Sequence, residues 1–248
     1  MSGCKPPCPL QEAGVVRGDT PPRVHAVDEL RGLCVVLMIA YHAAVSLNLH
    51  GLLSAAILYH PLLMVLQPIF AGIFIAICGF ASVYARSNLR RGLKLFVLAL
   101  AVSLITWLVD MPIWFGILHF LSLSMLIYAG INRWIDKVPA IIGLVAYLIL
   151  FILTRSWVAS VGIVENAWLF PFGFRGRGFY SADYFPLLPW IFVFFIGTIL
   201  GRLVQRKNRP PWIFRERFAI LSWIGRRALL AYLVHQPIIF GILWVITR

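Results

Sequence analysis

The stretch DELRGLCVVLMIAYHAAVSLN, Asp28 to Asn48, decides how this chain is read. Three charges open it, an apolar run long enough to enter a bilayer follows, and Tyr41-His42 interrupts that run near its middle. A helix turns about 100° per residue, so Arg31 and His42 fall within about 20° of one line and Asp28 within about 40°. One face therefore carries an acid and a base at the membrane surface and an imidazole about 16 Å deeper. Ionisable groups at that depth are costly, and their default reading is a functional site.

The rest of the chain has the same character. Of its 248 residues 61% are apolar and only 12% charged, with mean hydropathy +0.88, whereas soluble domains run near a quarter charged. Apolar runs able to cross about 30 Å of hydrocarbon lie near 32–49, 61–84, 93–110, 114–131, 138–155, 185–203 and 228–246. The expected fold is all-α, a polytopic membrane bundle of about seven transmembrane helices over residues 25–248, with no room for a soluble domain. Residues 1–24 are polar and rich in Pro and Gly, and read as a disordered cytoplasmic tail rather than a signal peptide. Cys4-x3-Cys8 in that tail has no partner pair, so no metal site is expected. Cys34 and Cys78 read as small packing residues.

The net charge of +13 is distributed by side. Eighteen of the 22 Lys and Arg fall in the tail and in alternate connections, leaving Arg155, Arg175, Arg177 and Arg248 on the other side. That split places the N-terminus in the cytoplasm and the C-terminus outside. The charge records topology, and nucleic acid is not an expected partner.

Three further stretches stand out. Gly72, Ala76 and Gly79 have the spacing by which membrane helices approach closely. The loop 156–184 is long enough to be functional, and holds Glu165, Arg175, Arg177 and Asp183 among aromatics; a lid or acceptor platform and a plain interfacial aromatic belt are both open. Residues 211–227 alternate apolar and basic positions, an amphipathic surface helix whose Arg226 and Arg227 suit lipid headgroups or a phosphorylated cofactor.

Ordered by depth, Asp28 and Arg31 sit at the inner mouth, and His235 with Gln236 and Pro237 lies about two turns into the last span. His42 is near the midplane, and His119 and Gln67 lie toward the outer side. Asn48, His50, His60 and Asp110 mark the outer mouth. One imidazole in a membrane helix is often only a hydrogen-bonded packing residue. Three spaced across the bilayer suggest a path between its faces. The path suits group transfer, with an imidazole as general base or acyl carrier, or a proton-coupled or small-solute transporter.

Five strings in order resemble the heparan-alpha-glucosaminide N-acetyltransferase catalytic-domain family in its small bacterial form. They are DELRGL with Tyr41-His42, AGIFIAICGF at 71–80, FGILHFLSLSMLI at 115–127, DYFPLLPWIFVFFIGTILGR at 183–202 and IGRRALLAYLVHQPII at 224–239. The resemblance implies a multi-pass enzyme of the bacterial inner (plasma) membrane that moves acetyl from cytoplasmic acetyl-CoA to an extracytoplasmic sugar or glycolipid acceptor. Membrane lipids are its surroundings, and a homo-oligomer stays open. It implies His42 as the catalytic imidazole, with His50 and His60 next in order because animal members use an outer-loop histidine. Asp28, Arg31, His235, Gln236, Arg226 and Arg227 are assigned to the donor, and His119, Asp110, Asp183 and Arg175 to the acceptor. One departure matters: many bacterial members carry an acid four residues after this histidine, where this chain has Ser46. Asp110 or Asp183 would have to supply it from another segment.

Overall fold

The structure is a computed structural model and describes residues 24–206 and 211–247. The tail expected over 1–24, with Cys4 and Cys8, lies outside the described residues except for Val24, as does Arg248.

Among the described residues nine α-helices follow one another: α1 (His25–Leu49), α2 (Ala55–Leu58), α3 (Pro61–Val83), α4 (Asn88–Leu108), α5 (Ile117–Ile135), α6 (Ala140–Val161), α7 (Leu187–Arg206), α8 (Ala219–Arg226) and α9 (Ala228–Ile246). All but α2 and α8 have at least 19 residues, or about 28 Å and more at 1.5 Å per residue. Six of these seven are also apolar enough to cross a membrane. The exception is α5, whose Ser122, Ser124, His119 and Tyr128 lower its hydropathy. The helix is buried without a break from Ile117 to Ser122 and again at Ser124, Met125 and Tyr128, because this part of α5 is walled by protein rather than lipid. The expected all-α bundle of about seven spans therefore stands, with α5 as its core helix.

Close backbone approach holds the bundle together where no hydrophobic force separates helix from lipid. A Cβ on Gly79 would collide with the Phe194 carbonyl, and one on Gly197 with the Ala76 carbonyl, so α3 and α7 touch backbone to backbone. Gly72, the third small residue of the α3 series, meets only side chains, Trp190 and Val193, at ordinary contact distance. The same device joins Gly32 of α1 to the Leu221 carbonyl and Gly225 to the Asp28 carbonyl. At the end of the bundle carrying most cations, Arg202 of α7 is buried and donates to the Asp136 carbonyl (2.7 Å) while pairing with its carboxylate (3.5 Å).

Two sequence expectations shift. The helix expected over 211–227 is broken into a 3-10 turn, Pro211–Phe214, and the shorter α8. Glu29 is the reason: its buried carboxylate takes the backbone N–H groups of Arg217 (2.5 Å) and Phe218 (2.9 Å), pinning the turn before α8 to the start of α1. The fourth span begins at Ile117, three residues later than the hydropathy suggests, and ends at Ile135. Residues 112–116 before it are irregular, with a bend at Trp114 and Phe115, and pair with the end of the long loop. Ala182 donates to the Pro112 carbonyl (3.0 Å), Phe185 to the Phe115 carbonyl (2.9 Å), and Trp114 N to Ser181 Oγ (3.1 Å).

The long loop is folded. Ile163–Val164 and Arg175–Gly176 form a short parallel ladder around a 3-10 turn at Ala167–Phe172. Phe170 stacks on Phe179, and Phe179 meets Tyr184 edge-on. The Tyr184 hydroxyl closes the unit on the Phe170 carbonyl at 2.6 Å. The packing of α3 on α7 is directly testable. Gly197→Val forces the two backbones apart and costs on the order of 2–3 kcal/mol, read as a lower Tm in detergent. Gly72→Ala, where the neighbour is the end of a side chain, leaves Tm at the wild-type value.

Candidate functional site

The irregular backbone at 112–117 and 181–185 seats one carboxylate. Asp183 Oδ2 accepts the Ile117 N–H at the start of α5 (2.9 Å) and the Tyr232 hydroxyl of α9 (2.9 Å). Gly116 stands where a Cβ would collide with that carboxylate. Burial raises the Asp183 carboxyl above the ordinary carboxylate range, against the lowering influence of its two donors and of nearby His235.

The chain of contacts continues into the bundle. His235 Nδ1 lies 2.6 Å from the Tyr232 carbonyl, one turn back along α9, and His235 Nε2 lies 2.8 Å from His42 Nδ1 of α1. The two imidazole centroids are 5.0 Å apart with planes 24° from parallel. With the nitrogens at 2.8 Å, that is an end-to-end hydrogen bond rather than a face-to-face stack.

This network assigns the protons. The Tyr232 carbonyl only accepts, so His235 Nδ1 carries the hydrogen and Nε2 of the neutral ring keeps a lone pair. His42 must then donate from Nδ1, which leaves a lone pair on its own Nε2. His42 Nε2 has no protein partner among the described residues, and His42 lines a cavity of about 520 Å³ between α1 and α3. Gln67, Asp183, Tyr41 and Tyr232 share its wall, and Cys34, Met38, Phe70 and Phe74 make its apolar part. Asp183 is the one charged residue on that wall among the described residues.

His119 is placed elsewhere. Ser103 Oγ donates to the Ile113 carbonyl, so the 3.3 Å contact between His119 Nε2 and Ser103 Oγ has the imidazole as donor. Its Nδ1 is buried without a partner, and the ring bolts α4 to α5 rather than facing the cavity. The three imidazoles expected along one path thus divide into a pair and a separate structural residue.

The remaining candidates fall at the two ends. His50 donates from Nδ1 to the Ser46 carbonyl (2.8 Å), and His60 caps α3 by accepting the Leu62 N–H (3.3 Å); both are exposed. Asp110 takes the left-handed turn after α4, with φ 56°. Arg175 lies exposed in the loop ladder. At the cationic end, Arg31 pairs with buried Asp28 at 3.4 Å. Arg226 contacts Glu216 (3.2 Å) and Ser222 (2.9 Å), and Arg227 sits 4.5 Å over the Trp223 ring. The Gln236 amide oxygen is buried and unpartnered beside the histidine pair in sequence.

Tyr232 and Glu29 are the residues that sequence reasoning missed. Tyr232 precedes His235 by three positions and so shares its helix face, a signal that was available. Glu29 binds backbone groups, and no sequence pattern marks such a partner.

Residues 23–237 match the family described as heparan-alpha-glucosaminide N-acetyltransferase, catalytic. Comparison with curated proteins and with solved structures finds no match. The family match spans most of the chain and includes the helices that carry His42, Asp183, Tyr232 and His235 or the loop between them. The chain belongs to the heparan-alpha-glucosaminide N-acetyltransferase catalytic-domain family and is a multi-pass membrane protein of acetyltransferase type.

Proposed function

We propose that the protein moves acetyl from acetyl-CoA, approaching the cationic end, to a hydroxyl or amine of a sugar or glycolipid acceptor that enters from the opposite end. Cation asymmetry favours a cytoplasmic N-terminus, which makes the donor cytoplasmic and the acceptor extracytoplasmic. The observation that carries this reading is the unpartnered His42 Nε2 on the cavity wall, held as a lone pair by the His235 contact.

The chemistry is a general-base transfer. His42 Nε2 takes the proton of the acceptor hydroxyl or amine as that group attacks the thioester carbonyl. The C–S bond breaks, and the proton passes from the imidazolium to the departing thiolate, giving acetylated acceptor and CoA. While His42 is cationic, its Nδ1–H remains bonded to the neutral His235, which stabilises the charge in a site of low dielectric. Asp183 holds the pair in register through Tyr232. This supplies from the long loop what an acid four residues after His42 would have supplied locally, and Ser46 leaves that place empty of charge. On the acceptor side Asp183 alone reaches the cavity; Asp110, Arg175 and His119 do not line it. On the donor side Arg31 stands about 16 Å along α1 from His42, a span suited to the arm between a CoA thioester and its phosphates.

Purified protein binds acetyl-CoA and transfers acetyl. His42→Ala retains binding and loses about 10²–10⁴-fold in kcat, the range for removal of a general base. Normal turnover by that variant would take His42 out of the mechanism, and solute flux in proteoliposomes without any acetyl donor would point to a transporter instead. The raised Asp183 carboxyl gives a separate signature with a definite sign. Its contribution to stability is fully present below the ordinary carboxylate pKa and is lost as pH rises through the higher folded value, by at most about 1.4 kcal/mol per pH unit. Asp183→Asn removes that slope from a Tm-against-pH series; an unchanged slope would show that Asp183 is already ionised across the window.

A further inference from the structure

The cationic end of the bundle holds a second cavity, of about 490 Å³, lined by Pro211, Trp212, Arg215, Glu216 and Arg217. Ile213, next in the chain, is buried, while Trp212 is 56% exposed and the Arg217 guanidinium lies 5.9 Å from its ring centre. Glu216, the one acid of the group, is engaged on its other side by Arg226 (3.2 Å) and His25 (3.7 Å). Arg215 makes no side-chain hydrogen bond or ion pair among the described residues, in contrast to Arg31 and Arg226. Two guanidiniums beside an exposed indole are suited to phosphate and to an aromatic base together.

The position of this cavity is fixed by the buried Glu29 carboxylate, which holds the backbone N–H groups of Arg217 and Phe218. Arg217 is thereby tied to the first turns of α1, the helix that carries His42. Thirteen residues separate Glu29 from His42, about 20 Å of helix, a length of the same order as an extended phosphopantetheine arm.

We infer that the Trp212–Arg215–Arg217 cavity binds a phosphorylated purine nucleotide, the 3′-phospho-ADP head of the acyl donor, with the base against Trp212 and phosphates on the two arginines. This rests on the acetyl-CoA reading above and moves the donor's anionic head from Arg226 and Arg227, whose groups are engaged by Glu216, Ser222 and the Trp223 ring, to the turn before α8. Phosphate is also the chemistry of an anionic lipid headgroup, so the test separates the two sources.

The probe is adenosine 3′,5′-bisphosphate, which carries the head without a thioester, titrated into the full-length chain in nanodiscs of phosphatidylcholine and of phosphatidylglycerol. Wild type and His42→Ala bind it equally in both. Arg215→Ala/Arg217→Ala weakens it by about tenfold or more, the loss expected for charge-assisted contacts, and raises KM for acetyl-CoA in parallel. Trp212→Ala weakens it too, and Arg90→Ala, on α4 at the same end, leaves it unchanged. Unaltered bisphosphate binding by the double arginine variant overturns the inference, as does a response only to phosphatidylglycerol. Acetyl transfer with an unchanged KM in the double variant would sink the site and leave the transferase reading standing. Arginine-dependent bisphosphate binding without any acetyl transfer would do the reverse.

Discussion

Backbone polar groups have no water to turn to inside a membrane bundle, and that constraint organises this site. Irregular chain at membrane depth is tolerated only where protein or a cavity satisfies it. Here α5 starts beside Ser103, five residues short of the end of α4, so residues 112–116 run unhelical within the bundle. Their carbonyls and amides are taken by Ala182, Phe185 and Ser181. The same pairing delivers Asp183 to the free N–H of Ile117, a helix N-terminus that favours negative charge. Once the carboxylate is there, Tyr232 has an acceptor, and α9 is set against α1 at the height where His235 meets His42. The His42 imidazole is therefore positioned by segments more than a hundred residues away in the chain.

Much of this architecture is legible in the residues. Each span announces itself by hydropathy because lipid accepts nothing else, and His42 and His235 stand out as polar groups in apolar runs. The exception is instructive: α5 is read three residues too early because hydropathy registers Trp114 and Phe115 as span, whereas their backbone is bound to the loop. The break in the 211–227 helix escapes the same reading, since amphipathic period is silent about a carboxylate arriving from Glu29. His50 and His60 show the converse case. Their residue type fits catalysis, yet one donates to its own helix and the other caps a helix start, local roles that any exposed polar side chain near a terminus can take.

Which histidines meet is not a property of their spacing. His42 and His119 are both polar groups in apolar runs, the one well inside α1 and the other in the first turn of α5, and contacts separated by 193 and 16 positions distinguish what they meet. The deciding difference is what the second ring nitrogen finds. For His235 it finds a carbonyl, which forces a lone pair onto the other nitrogen and so orders the proton in His42. For His119 the donor is spent on Ser103 and the remaining acceptor is walled in. A buried lone pair without access can hold helices in place but has no substrate to act on.

The long-range route to a carboxylate has a physical consequence that a local acid would not have. An acid one turn after His42 on α1 would orient the imidazole whatever the rest of the chain did. Asp183 instead belongs to a loop held by Phe170, Phe179 and Tyr184, and reaches α9 through Tyr232. The setting of α9 against α1, and with it the His235–His42 contact, is thereby coupled to the folding of that loop. A disturbance of that loop frees the Tyr232 hydroxyl, releases the packing of α9 on α1 and removes the reason for His42 to keep its proton on Nδ1. Loop order and the meeting of the two imidazoles are, in this arrangement, tied through one hydroxyl.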